Sequence, residues 1–170
     1  RDLIKENGWA AVSIRAVASR CSVSAGTIYN YYESKADLLS DTIESIWHEI
    51  FFHPEDEQIF HDVESCISWI YERLEYGNRQ FPGFFSLHSF GFMRDEKTSG
   101  KKRMMKTWGH ILNGLCEVLE NDPKVRADVF DQEFTEKKFA DILFSLILVS
   151  MIRQDYDPSS VLMLVKKTLY

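Results

Sequence analysis

The stretch from Ser13 to Lys35 constrains this chain more than any other. Ser13 is a good helix N-cap, because its hydroxyl can accept from the free N–H groups of a first turn. Ile14, Val17 and Ala18 then fall at i, i+3 and i+4, one face of a short helix. Ser22 and Ser24 interrupt that pattern, and Ser24 can cap a second helix from Ala25 to about Tyr31. Val23, Thr27 or Ile28, and Tyr31 give its periodic set. Ser34 and Asp37 have the spacing of a capping box and open a longer helix. Two short helices separated by three or four residues form a helix-turn-helix unit, whose second helix can enter the DNA major groove.

The residues from Gly8 to Leu39 carry a family pattern. It runs Gly8-Trp9, Ser13-Ile14, Val17-Ala18, then Val23-Ser24-x-Gly26-Thr27-Ile28-Tyr29-x-Tyr31-Tyr32, then Ser34-Lys35-x-x-Leu38-Leu39. This resembles the DNA-binding domain of the TetR family of bacterial transcriptional regulators, over less than a quarter of the 170 residues. One position departs. The family has Ala-Gly-Val at the turn, and this chain has Cys21-Ser22-Val23. A positive φ there would cost Ser22 roughly 1 kcal/mol relative to glycine.

The resemblance implies that Thr27 and Tyr29 touch phosphate or base, and that Tyr31 and Lys35 meet phosphate. The residue chemistry fits, since hydroxyls, a helix N-terminus and an ammonium all bind phosphate oxygens. Ala25, Gly26 and Thr27 open the recognition helix, where base edges come within reach, and the Ala25 methyl can pack on a thymine methyl. Asn30 and Arg15 carry hydrogen-bonding forks suited to adenine and guanine. With the caps Ser13 and Ser24, these are the candidate DNA-binding residues. Tyr32 is expected in the small core.

Charge supports this division of labour. The chain carries −6 overall. Residues 1–40 hold five Lys or Arg against four Asp or Glu, or +1, and residues 41–170 hold fifteen against twenty-two, or −7. The acidic excess thus lies outside the helix-turn-helix, and DNA binding depends on local rather than total charge.

With eight Gly, four Pro and no alternating strand rhythm, the fold class expected is all-α. We expect a helix-turn-helix DNA-binding domain over residues 1–42 and a helical effector-binding and dimerisation domain over residues 43–170. Arg1 to Asn7 reads as the end of a helix stopped by Gly8, and the family's longer first helix implies that its opening turns are missing. The Ser34 helix runs on to His53-Pro54. A fifth helix, marked by Ile59 to Leu74, is expected to stop at Gly77-Asn78. Further helices are expected from Lys101 to Glu120, from Thr135 to Arg153, and from Ser159 to Tyr170. An aromatic segment from Phe84 to Met93 lies between the fifth helix and the next.

Cys21, Cys66 and Cys116 stand too far apart for a CxxC pair or a disulfide framework, and are expected as reduced thiols in a cytoplasmic protein. The longest apolar run, Ile142 to Ile152, is too short to span a bilayer. The five histidines form no HExxH or i, i+4 pair, so no metal or other cofactor is expected. No nucleophile–base set or phosphate loop points to an enzyme.

The candidate effector-pocket residues are Phe51, Trp69, Phe84, Phe85, Phe90, Trp108 and Phe144, because pockets in helical domains are lined by aromatics. An acidic domain with an aromatic lining suits a small hydrophobic or aromatic effector, neutral or cationic. The run Ile142 to Val149 is apolar all round, and Val161 to Val165 shows the same excess, so both helices need covering on more than one side. Leu143, Leu146, Ile147, Ser150, Val161, Leu162 and Val165 are therefore expected at a homodimer interface, which the resemblance also implies. The function expected is a homodimeric repressor on a palindromic operator, released by a small hydrophobic ligand. The alternative is an architectural or division-control DNA-binding protein of the same fold without an effector.

Overall fold

The computed structural model describes residues 1–51, 60–85 and 99–170, with the side chains of 99–104, 106 and 107 outside that description. All regular structure among the described residues is helical. The helices are α1 (Asp2–Asn7), α2 (Ile14–Arg20), α3 (Ala25–Tyr29), α4 (Lys35–Phe51), α5 (Val63–Gln80), α6 (Ser99–Asn121), α7 (Glu136–Arg153) and α8 (Ser159–Leu169), with a 3₁₀ turn at Trp9–Ala11. The chain divides into two compact units. One holds Arg1–His53 and Tyr76–Met104, the other Pro54–Glu75 and Met105–Tyr170. The division passes through α5 and α6, so neither unit is one continuous piece of chain.

The caps expected from sequence form. Ser13 Oγ accepts from the Ala16 N–H at 3.1 Å, and Ser24 Oγ accepts from the Thr27 N–H at 3.1 Å. Ser34 Oγ accepts from the Asp37 N–H and donates to its carboxylate at 3.1 Å, which closes the capping box. Thr135 Oγ1 accepts from the Lys138 N–H and opens α7. Each cap satisfies a backbone donor that the first turn leaves unpaired.

In the first unit, Ile14 and Ala18 of α2, Ile28 of α3 and Leu38 of α4 form a small core, with Val17, Ala25 and Tyr32 packed against it. Tyr32 therefore packs as expected. A second core is aromatic. Trp47 stacks on Phe51 at 5.4 Å between ring centres and meets Phe84 and Phe85 edge-on at 5.7 and 5.6 Å. Trp9 and Phe81 border Phe84.

Several expectations about helix limits change, the first being that the fifth helix opens at Val63, with Phe60 outside it. The fifth helix does not stop at Gly77 but continues to Gln80. Gly77 lies inside it because nothing larger fits: a Cβ there would stand 2.6 Å from Ile50 Cδ1 and 2.9 Å from Phe85 Cζ. Close approach, not helix termination, requires that glycine. The recognition helix ends at Tyr29 rather than Tyr31, with Asn30 as its C-cap. The sixth helix begins at Ser99, two residues before Lys101. The expected end of α4 at His53-Pro54, and most of the Phe84 to Met93 segment, lie outside the described residues.

In the second unit, α5 contributes Val63, Cys66, Ile67, Ile70, Tyr71 and Leu74 as buried residues, α6 contributes Leu115 and Leu119, and α7 contributes Phe139, Ala140, Leu143, Ile147 and Met151. Val161, Val165 and Leu169 of α8 complete the set. The Tyr71 hydroxyl and Ser150 Oγ are hydrogen-bonded at 2.8 Å. Asp122, buried at the end of α6, accepts from the Val63 N–H at 2.9 Å, the Lys124 N–H at 2.9 Å and the Tyr170 hydroxyl at 2.5 Å. One carboxylate thereby ties together the start of α5 and the ends of α6 and α8. Beside it, Asp62 accepts from Lys124 Nζ at 2.7 Å and from the Ser65 N–H. These hydrogen bonds, Lys124 first, hold its carboxyl down at about 2.

Candidate DNA-binding surface

The turn between α2 and α3 takes the conformation that its sequence resists. Ser22 has φ 55°, in the left-handed region. Its N–H donates to the Ser19 carbonyl, and the next N–H, from Val23, reaches back to the Ala18 carbonyl at 2.9 Å. That closed turn, together with Ile14, Ala18 and Ile28 in the core, fixes α3 against α2 and leaves the other side of α3 in solvent.

The solvent side carries the candidate residues. Tyr29 is 55% exposed and Tyr31 80% exposed, large side chains for which the protein supplies no cover. Gly26 and Asn30 are also exposed, while Ala25 and Thr27 are half-buried. Thr27 Oγ1 lies 2.9 Å from Ser24 Oγ, so one hydroxyl proton of the pair is used internally and the other remains available to an acceptor. Ser13 and Ser24 serve first as caps.

The cations sort into two groups. Arg1 and Lys5 both bind Glu49, at 2.8 and 2.6 Å, and Arg20 grips Glu6 through two nitrogens at 2.8 and 2.5 Å. Arg15 on α2 and Lys35 at the start of α4 are exposed and have no carboxylate partner among the described residues. Of the five cations in residues 1–40, these two remain for phosphate or base. Sequence reading counted charges but could not see the pairing, because the partners lie 14 to 48 residues apart.

Residues 1–42 match the family model described as "Bacterial regulatory proteins, tetR family". The chain carries a TetR-family DNA-binding domain. Its coarse function follows: a DNA-binding transcriptional regulator. No curated protein matches the chain. Beyond the TetR-type domain, no helix among the described residues is long and apolar enough to cross a membrane.

The candidate effector residues are divided between the two units. Phe51, Phe84 and Phe85 are buried and each meets Trp47 in the first unit. Trp69 pairs with Phe60 at 5.2 Å in the second unit, with the Arg73 guanidinium over its ring. Trp108 meets Phe144 edge-on at 5.9 Å, also in the second unit. Phe90 lies outside the described residues. The indole N–H groups of Trp47 and Trp108 are shielded from solvent and have no acceptor among the described residues.

Of the candidate interface residues, Leu143, Ile147, Val161 and Val165 are buried within the protomer and contribute to its core. Leu146, Ser150 and Leu162 are half-buried. The apolar side chains left in solvent are Ile142, Val149 and Ile152 on α7, and Met163 and Leu164 on α8.

Proposed function

We propose that this TetR-type regulator is a homodimeric repressor that sits on a palindromic operator and leaves it when a small hydrophobic ligand binds. The observation that carries its DNA docking is the exposed side and C-terminal end of α3, with Tyr29, Asn30 and Tyr31 in solvent, together with Arg15 and Lys35, which have no carboxylate partner among the described residues. In a dimer, two such helices fall about 34 Å apart, one turn of DNA, and read matching half-sites. Pairing is supported by Ile142, Val149 and Ile152, which lie at i, i+7 and i+10 and form one stripe along α7, and by exposed Met163 on α8. The site of action is the cytoplasm, where operator DNA is found.

Lys35→Ala and Arg15→Ala should each weaken binding and flatten the dependence of log K on log salt by about one per protomer. Lys35→Ala should act on all sequences alike, whereas Arg15→Ala should also relax a guanine preference. Titration of duplex DNA over a salt series reads both effects. Unchanged affinity and slope in both variants would mean that α3 is not docked in this way.

Release by a ligand is supported by Trp108. Its buried N–H has no acceptor among the described residues, and leaving such a donor unpaired costs about 1–3 kcal/mol. An apolar effector bearing one carbonyl or ether oxygen would relieve that cost beside Phe144. A panel of neutral and cationic aromatic compounds should include one that quenches tryptophan fluorescence and frees the DNA, and Trp108→Phe should lose both responses. The packing of Phe51, Phe84 and Phe85 favours a second reading, a DNA-binding protein of the same fold with no small effector. A panel in which nothing both quenches and releases would select it.

A further inference from the structure

The attachment of α1 offers more than its sequence suggested. Glu49 lies near the end of α4 and takes both cations of α1, Arg1 Nη1 at 2.8 Å and Lys5 Nζ at 2.6 Å. Its side chain is only 20% exposed, so this ion pair is better shielded than a fully solvated one. The Lys5 ammonium also lies 4.8 Å above the centre of the Phe81 ring, and Trp9 of the following 3₁₀ turn faces Phe84 at 6.4 Å. The first segment of the DNA-binding domain is thus seated on α4 and on the residues after α5, all within one compact unit. At the other end of the same segment, Glu6 and Arg20 tie α1 to α2, which precedes the recognition helix.

We propose that Glu49 is a positioning residue for DNA binding: by clamping Arg1 and Lys5 it sets the angle at which α1 to α3 stand on α4. Glu49 is fourteen residues beyond Lys35 on one continuous helix, about 21 Å at about 1.5 Å per residue. Phosphate held by Lys35 is therefore out of reach of the clamp. On this proposal Glu49 acts on DNA affinity through geometry and not through a contact with that phosphate. In a dimer, a change of tilt moves both recognition helices and mismatches them to half-sites at fixed spacing. A ligand that shifts α4 against Phe81 or Phe84 would act through the same seat. This inference rests on the DNA-binding reading.

The test uses the duplex that the wild-type chain itself enriches from a random-sequence library. Glu49→Gln keeps the shape of the side chain and removes its charge. It should weaken binding to that duplex by about 3- to 10-fold, leave the salt slope unchanged and shift the unfolding temperature by no more than about 3 °C, as for loss of a surface ion-pair cluster. The triple variant Arg1→Glu, Lys5→Glu, Glu49→Arg rebuilds both pairs with reversed sign and should recover most of the affinity. A merely structural role would lower affinity only in step with folding. Wild-type affinity in Glu49→Gln would overturn the proposal. A steeper salt slope would overturn it too, by showing that Arg1 and Lys5 reach phosphate once released. Failure of the wild type to enrich any duplex would remove the DNA-binding reading and this inference with it.

Discussion

Ile147→Glu should prevent the protomer from folding, while Val149→Glu should leave it folded and unable to pair. The two positions lie two residues apart on α7, which puts them about 200° apart around the helix. Ile147 is 3% exposed, among the side chains that build the second unit. Burying a charge there costs several kcal/mol even after the group protonates instead. Total stability for a domain is only about 5–15 kcal/mol, so this change removes most of it. Val149 is 43% exposed, and a glutamate in its place stands in water while the protomer is alone. In a dimer closed by α7, the same carboxylate would face an apolar partner surface across the two-fold axis. Circular dichroism should show helix lost in Ile147→Glu and kept in Val149→Glu, and sedimentation should show Val149→Glu as a monomer. A folded Ile147→Glu variant would contradict the core assigned to α7. A dimeric Val149→Glu variant would move the interface off this stripe.

The same helix shows what sequence could and could not reveal. Its start was legible because a cap is local: Thr135 precedes an apolar pattern, and its hydroxyl finds the N–H three residues on. The caps at Ser13, Ser24 and Ser34 were legible for the same reason. Which side of α7 faces inward was not. When Ile142 to Val149 is apolar on every side, periodicity carries no direction, and Leu143 and Ile147 look as suited to a partner as Ile142 and Val149. Gly77 was misleading in another way. A glycine that stops a helix and one that admits a neighbour look alike in sequence, and the neighbours here, Ile50 and Phe85, lie 27 and 8 residues away. Within the DNA-binding surface, the exposed residues of α3 followed from the motif. The neutralisation of Arg1, Lys5 and Arg20 did not, because Glu49 and Glu6 reach them only once the chain has folded.

Loss of Asp122, buried just past the end of α6, is expected to cost more than that of any other polar side chain described. Asp122→Ala removes the acceptor for the Val63 N–H, the Lys124 N–H and the Tyr170 hydroxyl together. A buried donor left unpaired costs about 1–3 kcal/mol. Val63 is fully buried and bears that cost in full, whereas Lys124 and Tyr170 are near enough to the surface for water to offset part of theirs. The expected total is about 4 kcal/mol, which at about 2–4 °C per kcal/mol for a chain of this size lowers the unfolding temperature by about 8–16 °C. Asp122→Asn separates geometry from charge. Its amide oxygen can still accept from Val63 and Tyr170, but its NH₂ then faces the Lys124 N–H, so roughly half of the loss is expected. Tyr170→Phe keeps the carboxylate and both backbone donors and should cost about 1 kcal/mol, one ordinary hydrogen bond. Burial, and then the neighbouring carboxylate, raise the pKa of the Tyr170 phenol, which keeps its proton and remains the donor throughout the neutral range. The order Ala, then Asn, then Phe should therefore hold in thermal melts at neutral pH. Equal losses in Asp122→Ala and Asp122→Asn would mean that the negative charge, not the set of three accepted hydrogen bonds, joins the start of α5 to the ends of α6 and α8.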